Sequence, residues 1–366
     1  MANQQATVIS DNNLIGYDGS EKNISIPKNV KRICGYAFYK SEIFSVTIPN
    51  EVIRIDNAAF RNCNNLNEVK FSNSVTTIGN EAFYGCECLK NITLPNSLKT
   101  IGNAAFYKCK SLTEVKIPES VLDIGMDLFY GCENLITVNL EGNINEIGVN
   151  MFSGCKNLTD ILFPSSITAI RARSFYDCQK LKNIDIPDGV VKIEDGAFFG
   201  CGNLSKISFP KALNQIGNNV FEGTKWLKNQ KEDFVTINNL LCKYNGNDKK
   251  IYIPDDVVAI IGGAFSFSKD VTTVIISDSV ERICNSAFCQ CENLTEVIFS
   301  KNVSYIAEGA FWGCKKLKKA LFLNSNVTIV DRAFYGCQNF KIYAPIGSTA
   351  ENYAKTHYIP FVENKI

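Results

Sequence analysis

The sequence predicts a β-rich repeat solenoid, in which one short supersecondary unit is copied and stacked along the chain. Three observations carry this prediction. A phenylalanine recurs at a nearly fixed step, an alternating apolar segment precedes it in each repeat, and in most repeats a cysteine follows it by three residues. The thirteen phenylalanines are Phe38, Phe60, Phe83, Phe106, Phe129, Phe152, Phe175, Phe198, Phe221, Phe265, Phe288, Phe311 and Phe334.

Each repeat begins with a short strand. Around position 115, the apolar residues Val115 and Ile117 alternate with Glu114 and Lys116, which is the pattern of a strand with one buried face. The apolar pair is expected to point inward and the charged pair outward. Pro118 then ends the strand, because proline cannot donate a hydrogen bond to a ladder and fixes its own φ.

The second half of the repeat predicts a second short strand and about one helical turn on the convex side. Val121 and Ile124 form a second inward pair, and Gly125 permits a turn. Phe129 then enters the core, and Gly131 allows a positive φ before the next coil. Successive strands are expected to be parallel and about 4.8 Å apart, so that thirteen coils would extend on the order of 60 Å.

The cysteines predict a column of buried thiols that act as small apolar residues. Side chains stacked in parallel at about 4.8 Å are too far apart for a disulfide, which prefers a Cβ separation of roughly 3.5–4.5 Å. The pairs Cys86/Cys88 and Cys289/Cys291 offer two metal ligands each, and His357 is the only histidine, so no metal site is expected. The cysteines three residues after an anchor phenylalanine are Cys63, Cys86, Cys109, Cys132, Cys155, Cys178, Cys201, Cys291, Cys314 and Cys337.

Composition excludes several classes of function. The chain has 38 basic and 37 acidic residues and a net charge of +1, without a basic stripe, so nucleic acid and anionic membrane are not expected partners. No apolar run approaches the roughly 20 residues of a membrane-spanning helix, and membrane insertion is not expected. The opening residues 1–6 lack the charge and apolar run of a secretory signal, which leaves open an intracellular protein or a signal already removed. One histidine and no glycine-rich phosphate loop predict no enzyme and no cofactor.

The period breaks between Phe221 and Phe265, where the step is 44 residues. Leu241, Tyr244, Gly246 and Pro254 there repeat residues of the N-terminus at a constant offset of 227. Asp18-Gly19 and Asn245-Gly246 are hairpin-turn signals, so each of these segments predicts a β-hairpin cap. Whether the core is continuous through the second segment is left open. The predicted organisation is a hairpin cap and first strand in 1–30, a first repeat sub-array in 31–224, a hairpin-like insertion in 225–250, a second sub-array in 251–344 and a C-terminal cap in 345–366.

The repeat Leu-x-x-Ile-x-Ile-Pro-x-x-Val-x-x-Ile-Gly-x-x-Ala-Phe-x-x-Cys resembles the BspA-like, or Treponema pallidum type, leucine-rich repeat. Residues 114–132 and 296–314 match it almost position by position, and the ending 344–355 is similar to the terminator of such arrays. The resemblance implies a right-handed arc with a parallel concave sheet. It also implies an extracellular or cell-surface protein with an adhesin-like role toward host matrix or plasma proteins. The family has no common set of binding residues, so the ligand stays open.

The concave face holds the candidate binding site. Its central outward position is polar in eight of the first nine repeats, whereas in the second sub-array it is Tyr252, Ile275, Ile298 and Leu321. An exposed apolar row with a polar rim is typical of a partner site. We therefore predict that these four residues bind a protein ligand. The rim of the row is predicted to be Lys250, Glu296 and Lys319.

Three alternatives stay open. The apolar row can reflect the strand preference of isoleucine and tyrosine alone, or can be covered by a cap or by a further domain. A glycan-binding module would instead use the aromatic column after the anchors as a stacking platform, although stacking that seals the convex edge is favoured. The chain can also be the accessory repeat region of a larger enzyme. The aromatic column consists of Tyr84, Tyr107, Tyr130, Tyr176, Phe199, Trp312 and Tyr335.

Overall fold

The computed structural model describes residues 7–364, and the first and last residues of the two predicted end caps lie outside this range. The chain divides into two compact units. Within the described range, residues 7–213 and 220–229 form the first unit, and residues 214–219 and 230–364 form the second. The domain boundaries given above stay a prediction.

The first unit stacks its coils through two sets of parallel strands. Outside the N-terminal hairpin, strands of three or four residues form the ladder that we call the wide ladder, and strands of two residues form the narrow ladder. The hairpin itself joins the narrow ladder. The strands and helix in 7–229 are β1 (Thr7–Ser10), β2 (Asn13–Tyr17), β3 (Asn23–Ser25), β4 (Arg32–Ile33), β5 (Ser45–Thr47), β6 (Arg54–Ile55), β7 (Glu68–Lys70), β8 (Thr77–Ile78), β9 (Asn91–Thr93), β10 (Thr100–Ile101), β11 (Glu114–Ile117), β12 (Asp123–Ile124), β13 (Thr137–Leu140), β14 (Glu146–Ile147), β15 (Asp160–Leu162), β16 (Ala169–Ile170), β17 (Asn183–Asp185), β18 (Lys192–Ile193), β19 (Lys206–Ser208), β20 (Gln215–Ile216) and α1 (Lys225–Lys228).

The second unit repeats the same construction. Its hairpin leads into the narrow ladder, and its wide ladder runs without interruption through six strands. The elements in 230–364 are β21 (Phe234–Ile237), β22 (Leu240–Tyr244), β23 (Lys250–Tyr252), β24 (Ala259–Ile260), β25 (Thr273–Ile275), β26 (Arg282–Ile283), β27 (Glu296–Phe299), β28 (Tyr305–Ile306), β29 (Lys319–Phe322), β30 (Thr328–Ile329), β31 (Lys341–Ala344), α2 (Thr349–Thr356) and β32 (Phe361–Glu363).

The predicted repeat solenoid is confirmed. Val115 and Ile117 are buried and Glu114 and Lys116 are exposed, as the alternation predicts. The anchor phenylalanines stack ring on ring inside each unit, with centroids 4.8 Å apart for Phe38 and Phe60 and between 4.7 and 5.9 Å for the other pairs. Each ring therefore buries both faces against the rings of neighbouring coils, which joins the coils of a unit into one continuous core.

Aromatic residues close the ends of these stacks. Tyr17 lies against Phe38 at 5.2 Å, and its counterpart Tyr244 lies against Phe265 at 5.0 Å. At the other end of the first unit, Trp226 of α1 contacts Phe221 at 5.0 Å. The last ring of the second unit, Phe334, is covered by Phe340 and by Tyr353 of α2. Terminal coils need such covers because they have a neighbour on one side only.

The predicted hairpins are present, but the turns are not where the sequence indicated. The β1–β2 turn is formed by Asp11 and Asn12, both at positive φ, and the β21–β22 turn begins at Asn238 with φ 52°. Asp18-Gly19 and Asn245-Gly246 follow the second strand of each hairpin, so their assignment as hairpin turns was wrong. Asparagine and aspartate tolerate the left-handed region well enough to form such a turn without glycine.

Two consecutive hydrogen-bonded turns carry each coil past its anchor, in place of the predicted single helical turn. In the coil of Phe106, the amide of Tyr107 donates to the carbonyl of Ala104, and the amide of Cys109 donates to that of Phe106. Ala104 and Lys108 have φ values of 54° and 55°. A left-handed residue on each side of the anchor prevents a helix from continuing.

The Ile-Gly pair of the repeat is explained by space, and not by turn conformation as predicted for Gly125. A Cβ added at Gly102 would fall 2.4 Å from the backbone nitrogen of Asn80, and one added at Gly125 would fall 2.3 Å from that of Asn103. These asparagines form a ladder in which the Asn80 side-chain oxygen accepts a hydrogen bond from the Asn103 amide. Glycine is therefore needed where the asparagine of the preceding coil comes close.

Gly102→Ala is expected to lower the free energy of unfolding by about 2 kcal/mol, because the added methyl group overlaps backbone that cannot move without breaking the asparagine ladder. Gly148→Ala is the matched control. It changes the equivalent glycine of another coil, where the nearest atom to the added Cβ is 3.6 Å away, and little change is expected. Chemical denaturation of both variants measures the difference, and equal losses would contradict the crowding explanation.

Candidate functional site

The four residues of the predicted apolar row lie side by side on the wide ladder of the second unit. Tyr252 pairs with Ile275, Ile275 with Ile298, and Ile298 with Leu321, each on the next parallel strand. The residues that precede and follow each of them in its own strand, such as Val297 and Phe299 around Ile298, are buried in the core. The strand alternation therefore places the row on the outer face of the ladder.

The structure extends this row by two residues that the sequence analysis missed. Leu321 pairs with Tyr343 of β31, and Tyr343 pairs with Val362 of β32. We call the six residues together the apolar stripe. Six strands at a spacing of about 4.8 Å give the stripe a length of about 24 Å. The stripe consists of Tyr252, Ile275, Ile298, Leu321, Tyr343 and Val362.

The stripe residues are only partly covered. Tyr252, at the first strand, has 60% of its surface exposed, whereas the interior members are half-buried because each packs against its neighbours along the row. Such a surface is apolar and already ordered. A partner that covers it gains burial of apolar area without paying much side-chain entropy, since isoleucine and tyrosine on a strand have few free rotamers.

The predicted rim residues lie beside the stripe in a second row. Lys250 places its Nζ 5.1 Å from the centre of the Tyr252 ring. Lys319 donates to the Glu296 carboxylate at 2.9 Å and also lies 5.4 Å from the centre of the Tyr343 ring. An ion pair at this exposure contributes little to stability, so these charges are free to influence which partner approaches.

The same outer position in the first unit is polar in eight of nine coils, and Leu162 is the exception. Its strands are in register in the same way, for example Ser25 with Thr47 and Lys116 with Asn139. The apolar character is therefore a property of the second unit's ladder and not of the repeat as such. The nine residues of the first unit at this position are Ser25, Thr47, Lys70, Thr93, Lys116, Asn139, Leu162, Asp185 and Ser208.

The aromatic column after the anchors is stacked, as favoured from the sequence. Tyr107 lies between Tyr84 and Tyr130, with ring centres 4.6 and 4.7 Å away and planes within 4° of parallel. Arg61 covers Tyr84 at 4.3 Å. A sugar stacks on an exposed ring face, and in this part of the column the faces are used by neighbouring rings. Trp312 and Tyr335 differ, since they meet edge to face at 6.2 Å.

The single histidine of the chain makes structural contacts at the C-terminal helix. His357 ends α2, where its Nδ1 lies 2.9 Å from the Tyr353 carbonyl and its Nε2 lies 2.8 Å from Asp331. The hydroxyl beside it, that of Thr356, donates to backbone carbonyls of the same helix. The arrangement ties the terminal helix to the coil of Asp331. In residues 7–364 no cluster of three or more histidine, cysteine, aspartate or glutamate side chains could hold a metal ion.

The predicted thiol column is present in both units. All fifteen cysteines lie in the described part of the chain, and all are free. Each of the ten ladder cysteines donates its Sγ–H to the carbonyl of an anchor phenylalanine, as Cys132 does to Phe106 at 3.1 Å. In one of the two pairs considered for metal binding, Cys86 is buried whereas Cys88 is exposed, so the two thiols point to opposite sides.

Two stacked parallel ladders, a phenylalanine core and an outer strand face define a leucine-rich-repeat solenoid. The family model described as the BspA type leucine rich repeat region matches residues 9–136, 122–241 and 235–352. The chain belongs to this family.

Solved structures of bacterial leucine-rich-repeat proteins are similar to this chain. A protein from Bacteroides ovatus is 24% identical with a TM-score of 0.50, and the match covers 100% of this chain and 97% of that one. A leucine rich cell surface protein from Faecalibacterium prausnitzii is 26% identical over 100% and 93% of the two chains, with a TM-score of 0.47. The leucine-rich-repeat protein of T. pallidum is 28% identical over 46% and 82%, with a TM-score of 0.44.

Comparison with curated proteins gives no match. Neither of the helices within residues 7–364 has the length and apolar character that crossing a membrane requires.

Proposed function

We propose that this protein is a non-catalytic interaction scaffold that binds another protein through the apolar stripe of its second unit. The observation that carries the proposal is the register of Tyr252, Ile275, Ile298, Leu321 and Tyr343 on five neighbouring strands. Apolar and aromatic residues at the centre, with charged residues at the edge, are the composition of a protein interface.

The family resemblance directs the choice of partner and place. An extracellular or cell-surface location, with an adhesin-like role toward host matrix or plasma proteins, fits a repeat unit whose outer strand face holds an apolar row. A glycan-binding role for the aromatic column is supported less, because Tyr107 and its neighbours use their ring faces for one another.

Binding to immobilised fibronectin, fibrinogen and laminin tests the proposal. The double variant Ile275→Asp/Ile298→Asp is expected to weaken any saturable binding by about thirtyfold or more, since the hot-spot residues at the centre of an interface cost about 2 kcal/mol or more when they are replaced. The carboxylates would have to be desolvated against an apolar partner surface. Surface plasmon resonance measures the loss.

A matched control is Ser25→Asp/Thr47→Asp, which adds the same two charges to neighbouring strands of the first unit at the equivalent outer positions. It is expected to bind as the parent does. Ile275→Thr/Ile298→Thr keeps the β-branched shape and serves where the aspartates disturb folding, which circular dichroism reveals. Parent binding that survives both stripe variants would reject the stripe as the site, and absence of parent binding would reject these partners.

A further inference from the structure

The wide ladder of the first unit is interrupted at two places inside the array. β7 does not pair with β9, and β15 does not pair with β17, although the strands around these joints are paired in order. Each interruption follows a coil with phenylalanine at the second inward position of the strand, Phe71 in one and Phe163 in the other. Paired coils such as those of Ile117 and Leu140 have a smaller aliphatic residue there.

At each interruption the phenylalanine ring is not fully buried. Phe71 and Phe163 each meet an anchor phenylalanine edge to face, at 6.0 and 6.1 Å, and both stay only half-buried. In the second unit Phe299 and Phe322 are fully buried, and the ladder continues past both of them, although Phe322 is followed by the smaller Ala344 in the next coil. A ring that stays half-buried therefore accompanies each open joint.

The opened joint between β7 and β9 forms a cleft of about 670 Å³. Carboxamides from both coils line it, together with two ammonium groups. Because β7 and β9 each pair on one side only, the edges that face the cleft retain unpaired backbone groups. The polar side chains at the cleft include Asn67, Asn73, Asn91, Asn96, Lys70, Lys90 and the carboxylate of Glu68.

We propose that this cleft binds an oligosaccharide. A carboxamide donates hydrogen bonds through its NH2 group and accepts them through its oxygen. It can therefore bind sugar hydroxyls, which also donate and accept. The volume lies within the range of small-molecule sites, roughly 300–1,000 Å³. Lys70 lies 3.4 Å from the Glu68 carboxylate, so the cleft is not a strongly cationic site for phosphate or nucleic acid.

Phe71→Leu provides the sharpest test, because it is expected to close the joint while leaving the polar lining intact. Binding of the parent chain to a printed array of neutral and acidic oligosaccharides is expected, with at least a tenfold loss in Phe71→Leu. Hydrogen exchange at the amides of Asn91–Thr93 should slow in the same variant as β7 and β9 pair. Asn67→Ala/Asn96→Ala, which removes one carboxamide from each coil, is expected to lose binding without a change in exchange.

Phe163→Leu is the matched control, since it makes the same change at the other interruption and should leave array binding unaltered. A blank array with the parent chain, or equal binding by parent and Phe71→Leu when exchange shows that the joint has closed, would overturn the proposal. A cleft that captures only peptides would overturn it as well. The cleft and the apolar stripe lie in different units, so this proposal and the protein-binding proposal fail independently.

Discussion

Replacing Phe106 with alanine is expected to lower the free energy of unfolding by about 4 kcal/mol. Phe106 is fully buried and stacks between Phe83 and Phe129, at 5.5 and 5.7 Å with ring planes within 10° of parallel. Truncation removes both contacts and leaves a cavity that the backbone ladders on either side hold open. Because each coil contacts only its neighbours, the stack on both sides of the cavity loses its continuity. Chemical denaturation followed by circular dichroism measures the loss.

The control compares the same substitution at an exposed ring. Phe267 follows an anchor by two residues and is 67% exposed, so Phe267→Ala is expected to change stability by less than about 0.5 kcal/mol. Phe106→Leu keeps most of the buried volume and should cost about 1–1.5 kcal/mol. Similar losses for Phe106→Ala and Phe267→Ala would show that the phenylalanine stack is not what joins the coils.

The strand register could be predicted because a fixed step determines which residues lie side by side. A step of 23 residues brings Ile275, Ile298 and Leu321 together without further information. The step then changes. Tyr343 comes 22 residues after Leu321, in a segment that resembles a terminator, and Val362 reaches the ladder only through helix α2. Counting repeats could not place either residue, and the stripe was predicted shorter than it is.

The hairpin turns show how a strong local signal can mislead. Asn245-Gly246 has the composition of a tight turn, but the structure needs this glycine for another reason. A Cβ on Gly246 would fall 2.5 Å from the hydroxyl of Tyr244, the ring that covers the anchor Phe265. Asn238, with no glycine beside it, makes the turn. Only the packing of Tyr244 on Phe265, at the end of the core, distinguishes a glycine that is needed for space from a glycine that forms a hairpin turn.

The interrupted ladder could not be predicted from the pattern of apolar positions, because Phe71 satisfies that pattern as well as Ile117 does. The outcome follows whether the ring enters the core. Phe299 and Phe322 are fully buried in a continuous ladder, whereas Phe71 and Phe163 stay half-buried at the two open joints. The packing of the ring, and not the identity of the residue at this position, distinguishes the two outcomes.

Alkylation of the native protein is expected to modify Cys88 at least a hundredfold faster than Cys86 or Cys109. Thiolate is the reactive form. Burial raises the pKa of Cys86 and Cys109 well above the ordinary thiol value, and each Sγ–H donates to a phenylalanine carbonyl, at 3.1 and 3.3 Å. Cys88 is exposed. Mass spectrometry of peptides after timed labelling, with a sample unfolded in denaturant for comparison, separates the sites. Ladder cysteines that react as fast as Cys88 would show that the column opens readily.

The same thiols predict how stability depends on pH. Burial raises the pKa of Cys63 to about 11, so the folded chain keeps this proton at a pH where the unfolded chain has released it. The unfolded state then binds fewer protons, and the free energy of unfolding decreases as pH rises from the ordinary thiol value of about 8.5 towards 11. Below about pH 8 the thiols whose pKa burial raises, such as Cys63, Cys86 and Cys109, keep their protons in both states and contribute no pH dependence. Replacement of Cys109 and Cys132 by alanine should flatten the alkaline decrease while costing some packing at pH 7. An alkaline decrease that is unchanged in this variant would assign it to other groups.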